Sequence, residues 1–336
     1  MVARQTGVMR NVYLLVIVVV LAAGCADTDN AAPESDVVAP VVSEPTVLVA
    51  LSPGDREFTV ESGAVERNYV VHVPPGLADA AAPVVMALHG GGGSAPQFQG
   101  QIALDSIADR EGFLAVYPDG NGLTRLHTWN AGPYCCGVAA RNDIDDVGFL
   151  ADVLVDLETR HAYDRESVLV AGHSNGAMMA SRFAAERPEL VAAVVAVGGV
   201  AASDQVPAVP LPMLQIHSVD DPRALYEGGE GPPFPGTNST VVHAGAMETL
   251  NAWAGVNECS GEVIEREPVV AASGHTATWT EWQGCRERLA HYRLTGAGHG
   301  WPGVNGTSEA IIGPSTDVIL ASEEVWSFAQ EIFTAR

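Results

Sequence analysis

The 336-residue sequence predicts an α/β fold with a mostly parallel central sheet and helices on both faces. Three observations carry this. Uninterrupted apolar runs recur along residues 52–336, as expected of strands buried on both faces. Stretches of helical periodicity separate them, and strands alternating with helices imply right-handed crossovers and parallel pairing. One apolar run, Val168-Leu-Val-Ala-Gly-His-Ser-Asn-Gly176, passes straight into an Ala/Met-rich helical pattern over 177–186.

The elements follow in order. Residues 57–60 and 68–73 read as two edge strands with a turn at Ser62-Gly63, stopped by Pro74-Pro75-Gly76. Pro83-Val-Val-Met-Ala-Leu88 is a continuous strand, 101–111 has helical periodicity, and Gly112-Phe-Leu-Ala-Val-Tyr117 is the next strand. Residues 123–143 are rich in Gly, Asn and aromatics without a period; a loop this long in a compact domain is usually functional. Asp145-Asp146 precede an amphipathic helix over 147–160 and read as N-cap and helix-dipole partners, with calcium ligation as the alternative. Strands at 168–171, 191–197, 213–216 and 289–294 complete the sheet. Further helices are expected at 177–186, 242–254 and 323–335, and a Pro/Gly-rich stretch at 226–236 is a candidate for shaping access to a site.

Composition narrows the class. Hydrophobic residues make up 47% of the chain, enough for a full core. The formal net charge is −24, and the 17 basic residues are all arginine. A surface this acidic repels phosphate backbones, so nucleic acid is set aside as a partner. Residues 1–25 read as a targeting segment: Arg4 and Arg10 precede an apolar run at 12–23, too short to span a membrane comfortably. The run ends in Leu21-Ala-Ala-Gly-Cys25, which resembles a bacterial lipobox with its leucine one place early, so lipidation of Cys25 is expected over an ordinary secretory signal. Residues 26–51, rich in Ala, Pro, Asp and Glu, read as a flexible tether, and 52–336 as a single catalytic domain. The expected location is a cell-surface or periplasm-side lipoprotein, held to the membrane only by its lipid, or a released secreted form.

Removing Cys25 leaves Cys135, Cys136, Cys259 and Cys285, which in an exported chain read as disulfides with three possible connectivities. A Cys259–Cys285 bridge would enclose the strand-like Thr276-Ala-Thr-Trp-Thr-Glu-Trp282 and close a loop of about 27 residues, worth about 3–4 kcal/mol on the chain-entropy model. Cys135 and Cys136 would then form a vicinal bridge or stay reduced. No CxxC or HxxxH spacing supports a zinc site.

The pattern Gly172-x-Ser174-x-Gly176 between a strand and a helix has the form of a nucleophile elbow, which exposes the serine above the end of a sheet. A serine hydroxyl needs a base, an orienting acid and an oxyanion hole. His299, in the Gly-rich loop after the last core strand, is the candidate base. The acid falls in the loop after the strand Met213-Leu-Gln-Ile216, at Asp220 or Asp221, which spacing does not separate. The loop His89-Gly-Gly-Gly-Gly-Ser94 would supply one oxyanion donor, with Gly91 chosen over Gly90 and Gly92, and the Asn175 N–H the other. Trp129 and Trp301 are candidates for an aromatic wall facing an acyl or sugar group, or else for packing of the loops around the site.

These strings also appear together in a known order. Leu88-His-Gly-Gly-Gly-Gly-Ser94, Tyr117-Pro-Asp-Gly120, Trp129-Asn-Ala-Gly132, Asp145-Asp-Val-Gly-Phe149, Gly172-His-Ser-Asn-Gly176 and Gly298-His-Gly-Trp-Pro-Gly303 resemble the poly(3-hydroxybutyrate) depolymerase and feruloyl esterase-like proteins of carbohydrate esterase family 1, including lipoprotein members. The resemblance covers residues 52–336. It implies an α/β-hydrolase fold, a Ser174–Asp221–His299 triad, no metal or organic cofactor, and a small or oligomeric ester substrate, whether hydroxyalkanoate, feruloyl or acetyl. It also implies pairing of the two later cysteines. The family's His-Gly-Thr-x-Asp string reads His217-Ser-Val-Asp-Asp221 here, a departure at two positions. Peptidases and acyltransferases share the fold, and a non-catalytic envelope-binding lipoprotein is the third reading; against that one, every catalytic role has a candidate.

Overall fold

The structure, a computed structural model, describes residues 51–336 apart from 78–80, 123, 125, 133–134, 200–204, 235–239 and 306–307. The targeting segment, Cys25 and nearly all of the tether therefore lie outside the described residues. The first half comprises β1 (Gly54–Ser62), β2 (Val65–Val73), β3 (Ala82–Leu88), α1 (Ala95–Ile102), α2 (Leu104–Glu111), β4 (Leu114–Pro118), α3 (Gly137–Arg141) and α4 (Asp146–Arg160). Then come β5 (Tyr163–His173), α5 (Asn175–Glu186), β6 (Ala193–Val197), β7 (Met213–Ser218) and a short pair, β8 (Gly229–Glu230) with β9 (Val242–His243). The chain closes with α6 (Ala246–Val256), β10 (Val263–Glu265), β11 (Val269–Val270), β12 (Thr276–Trp282), β13 (Leu289–Thr295), α7 (Glu309–Ile312) and α8 (Ala321–Thr334).

The main sheet has the order β1-β2-β4-β3-β5-β6-β7-β13-β12-β10, with β11 also against β12. From β4 to β13 every neighbouring pair is parallel, and antiparallel hairpins finish both ends. The middle strands are buried along their length, which is why they read as unbroken apolar runs rather than alternating ones. Their side chains still alternate between two cores. Val84, Met86, Val168 and Val170 join one with α4 and α5, while Val85, Ala87, Leu169 and Ala171 join the other with α2 and α8. This is the fold class the sequence predicts.

Several elements depart from expectation. Of the two strands expected at an edge, only β1 is one; β2 is hydrogen-bonded on both sides. The helix expected at 101–111 is two helices, because Ala103 adopts φ 54° and breaks the ladder. α2 then ends at Gly112, at φ 83°, whose N–H returns to the Ala108 carbonyl. The helix expected from 242 begins at Ala246, since Val242 and His243 form β9. Short β10 and β11 extend the sheet where no strand is legible. A disulfide, Cys259–Cys285, ties the end of α6 to the turn after β12, the pairing that the resemblance implies.

Candidate active site

The catalytic candidates all sit at the carboxyl ends of parallel strands: the glycine loop after β3, Ser174 after β5, Asp221 after β7 and His299 after β13. Open α/β sheets place their ligand crevice at that edge. The turn at Ser174 explains its flanking residues. A Cβ on Gly172 would collide with the Gly176 carbonyl, and one on Gly176 with the carbonyls of Leu88 and His89. Ser174 itself has φ 55° and ψ −120°, a region costly for a side chain. Its N–H donates to the Val197 carbonyl at 2.8 Å, and its carbonyl accepts from Ala177 and Met178. Strand β6 and the first turn of α5 thus hold the strained conformation.

His299 lies between Ser174 and Asp221. Its Nδ1 is 2.7 Å from Asp221 Oδ2 and its Nε2 is 2.8 Å from Ser174 Oγ. An ionised carboxylate only accepts, so Nδ1 carries the proton and Nε2 accepts from the serine hydroxyl. The other Asp221 oxygen accepts from the N–H groups of Arg223, at 2.7 Å, and Ala224, at 2.9 Å. Burial works against ionisation of Asp221. The charge of His299 and hydrogen bonds from His217 and His299 outweigh it, and hold the carboxyl well below the usual carboxylate range. Asp220 points elsewhere: it is exposed and accepts from the Gly296 N–H at 2.7 Å. The geometry therefore separates two neighbours that spacing does not. His217 is buried and donates to the Ala224 carbonyl from Nε2, which also lies 3.3 Å from Asp221.

The glycine loop packs directly on the elbow. A Cβ on Gly90 would come within 3.5 Å of the Ser174 Cβ, and one on Gly91 within 3.5 Å of the Asn175 Cβ. The Gly92 N–H is spent on the His127 carbonyl and the Gly93 N–H on the Gly90 carbonyl, so Gly92 is not free to meet a developing oxyanion. The N–H groups of Gly90, Gly91 and Asn175 donate to no protein acceptor among the described residues. His89 braces the loop: Nδ1 donates to the Gly90 carbonyl at 2.8 Å, and Nε2 accepts from the Gly120 N–H at 2.9 Å. Behind it, Asp119 accepts from His127 at 2.8 Å and from the Ala95 N–H at 3.0 Å. Burial again opposes ionisation of Asp119, but hydrogen bonds from His127 and the Ala95 N–H help keep its carboxyl below the ordinary range.

The described part of the segment expected as a long loop at 123–143 holds α3 and braces the site. The Asn175 side chain accepts from the Trp129 N–H at 2.7 Å and donates to the Trp129 carbonyl at 3.0 Å. Trp129 is fully buried, with Nε1 donating to the His89 carbonyl. Trp301 is buried too, edge-on to Phe98 and His173, with Nε1 on Ser322. Neither tryptophan lines the cleft beside Ser174, so the expected aromatic wall is replaced by packing beneath the loops that carry the site. At the start of α4, Asp145 caps the helix through the Gly148 N–H, and Asp146 pairs with Arg67 at 2.8 Å while accepting from the Asn130 N–H. Both oxygens of Asp146 are thereby engaged, and one of Asp145 makes the expected N-cap.

The cleft is lined by the vicinal disulfide Cys135–Cys136 and Met178 together with Arg223, Pro232, Phe234 and His243. The Pro/Gly-rich stretch thus reaches the site through the β8–β9 hairpin. Sequence reading missed His173, whose Nε2–H donates to the His299 carbonyl at 2.7 Å. Burial first, then the charge of His299, pushes His173 down to about 4, so its ring is neutral when it supports that loop. Its only signal was its place inside the Gly172-x-Ser174 string.

This fold and this arrangement define an α/β-hydrolase. Residues 67–281 match the family model described as esterase PHB depolymerase, and the chain belongs to that family. It is an ester hydrolase. NocK of Nocardia uniformis subsp. tsuyamanensis, which carries the name of an esterase, is 29% identical over 88% of this chain and 91% of its own length. Feruloyl esterase B of Piromyces equi is 28% identical over 60% of this chain, which spans only 38% of that protein. Among solved structures, the acetyl xylan esterase from Aspergillus awamori superposes with a TM-score of 0.55 at 19% identity, over 81% of this chain and 98% of that one; at this identity it speaks to the fold.

Proposed function

We propose that the chain is an exported serine esterase, tethered by a lipid on Cys25, that cleaves carboxylic esters through an acyl-enzyme on Ser174. The observation that carries the reading is the unbroken Ser174–His299–Asp221 hydrogen-bond array beside an open cleft. Ser174 Oγ attacks the ester carbonyl as His299 Nε2 takes its proton. The oxyanion is held by the N–H groups of Gly91 and Asn175, and Asp221 stabilises the imidazolium. His299 then returns the proton to the departing alcohol. Water, deprotonated by the same ring, releases the acid and restores the serine.

The substrate class rests on the family and on the cleft lining. Cys135, Cys136 and Met178 give the cleft apolar surface for the acyl or alcohol part of a hydroxyalkanoate, acetyl or feruloyl ester, and the relatives' names support feruloyl or acetyl esters. The test compares methyl ferulate, an acetylated xylo-oligosaccharide and a 3-hydroxybutyrate oligomer with a peptide amide, using Ser174→Ala as the blank. Ester turnover lost by about 10³-fold or more in the variant is expected; peptide cleavage exceeding ester cleavage would point to a peptidase instead. For the anchor, full-length chain in a bacterial host should fractionate with membranes and Cys25→Ser should not. Equal partition of the two would remove the lipid from the reading.

A further inference from the structure

Among the described residues, one arginine, Arg223, lines the cleft of this strongly acidic chain. Most described arginines sit on a carboxylate, Arg67 on Asp146 and Arg182 on Glu186 among them. Arg223 has no carboxylate partner among the described residues. Its guanidinium donates to the Pro233 carbonyl at 3.1 Å and lies 5.7 Å from the centre of the Phe234 ring, so it is placed on the rim that the β8–β9 hairpin lends to the cleft. The adjoining segment 235–239 reads Pro-Gly-Thr-Asn-Ser and contributes no acid. Its backbone is anchored as well, because the Arg223 N–H donates to Asp221. The rim cation is thus fixed to the residue that orients His299.

The surrounding charges make this cation selective. Asp221 is committed to His299 and to two N–H groups. His243, which lines the same cleft, is pushed down to about 4 by its burial and then by neighbouring cations, so it is neutral at pH 7. A half-buried guanidinium with no carboxylate partner among the described residues, lining the same cleft as Ser174, is a ready partner for a planar anion, and such charge-assisted pairs are about twice as strong as neutral ones. Cys135, Cys136 and Met178, which line the same cleft, offer apolar surface to an aliphatic chain. Resting on the esterase reading above, we infer that Arg223 selects esters that bear a free carboxylate, such as short hydroxy acid oligomers or hemiesters of diacids, with the guanidinium holding the carboxylate while Ser174 attacks the ester carbon.

The test uses two matched pairs: 4-nitrophenyl hemiglutarate against 4-nitrophenyl valerate, and 3-acetoxybutyrate against its methyl ester. The first pair puts the carboxylate on the acyl side and the second on the alcohol side. The wild-type enzyme should favour the anion in at least one pair by about tenfold in kcat/KM. That preference should shrink as salt is raised, fall to about one in Arg223→Gln, and return in part in Arg223→Lys. A wild-type preference for the neutral member of both pairs overturns the inference. So does a preference that survives in Arg223→Gln; a common fall for both members would instead make Arg223 a rim support acting through the Pro233 carbonyl. Absence of turnover for all four esters, with Ser174→Ala indistinguishable, would fail the esterase reading itself.

Discussion

At Asp220 and Asp221, two adjacent carboxyls with the same formal charge do different work, and only their directions differ. Asp221 turns inward onto His299, while Asp220 caps the Gly296 N–H at the surface. Asp221→Asn should lower kcat by about 10³–10⁴-fold with little change in folding, because the amide favours the wrong imidazole tautomer. Asp220→Asn should stay within a few-fold. Steady-state kinetics on one activated ester separates the two, and a larger loss at Asp220 would reassign the acid. Ser174 and His299 were legible because their neighbours are glycines that the turn demands. The choice of acid was not legible from spacing, since direction at the end of β7 depends on where β13 brings the histidine. Trp129 shows the opposite limit: an aromatic in a site loop reads alike whether it faces the cleft or the core.

The start of α4 shows how a short string encodes an element. Asp145 caps the helix, Asp146 neutralises Arg67 beneath it, and Gly148 leaves room for the cap, because a Cβ there would run into the Asp145 carboxylate. Alanine in place of glycine in a helix is ordinarily worth up to about 1 kcal/mol. Here Gly148→Ala should give no gain, since it displaces a cap of about the same value, and should become stabilising once Asp145→Ala has removed the cap. Denaturant unfolding of the four species measures the coupling; equal effects of Gly148→Ala in both backgrounds would mean the cap contributes nothing. Long buried strands and helices were readable from period and burial. The breaks were not: Ala103 at φ 54° carries no sequence signal, and β10 and β11 exist because β12 offers them an edge.

Over the whole molecule, a parallel sheet gathers four loops from distant parts of the chain at one edge. His299 and Ser174 meet although 125 residues separate them. The order Ser…Asp…His along the chain follows from that topology. The charge of −24 is carried mainly by surface acids and bears on partners and solubility, not on the fold. Against this background the described acids that reach the site, Asp221 and Asp119, are each engaged by histidines. The serine chemistry is tested most directly by trapping its intermediate. The enzyme is mixed with a slowly deacylating 4-nitrophenyl ester, quenched in acid, digested and sequenced by mass spectrometry. One acyl group on the peptide carrying Ser174 is expected, with none on Ser174→Ala. An acyl group on another residue, or full turnover by Ser174→Ala, would contradict it.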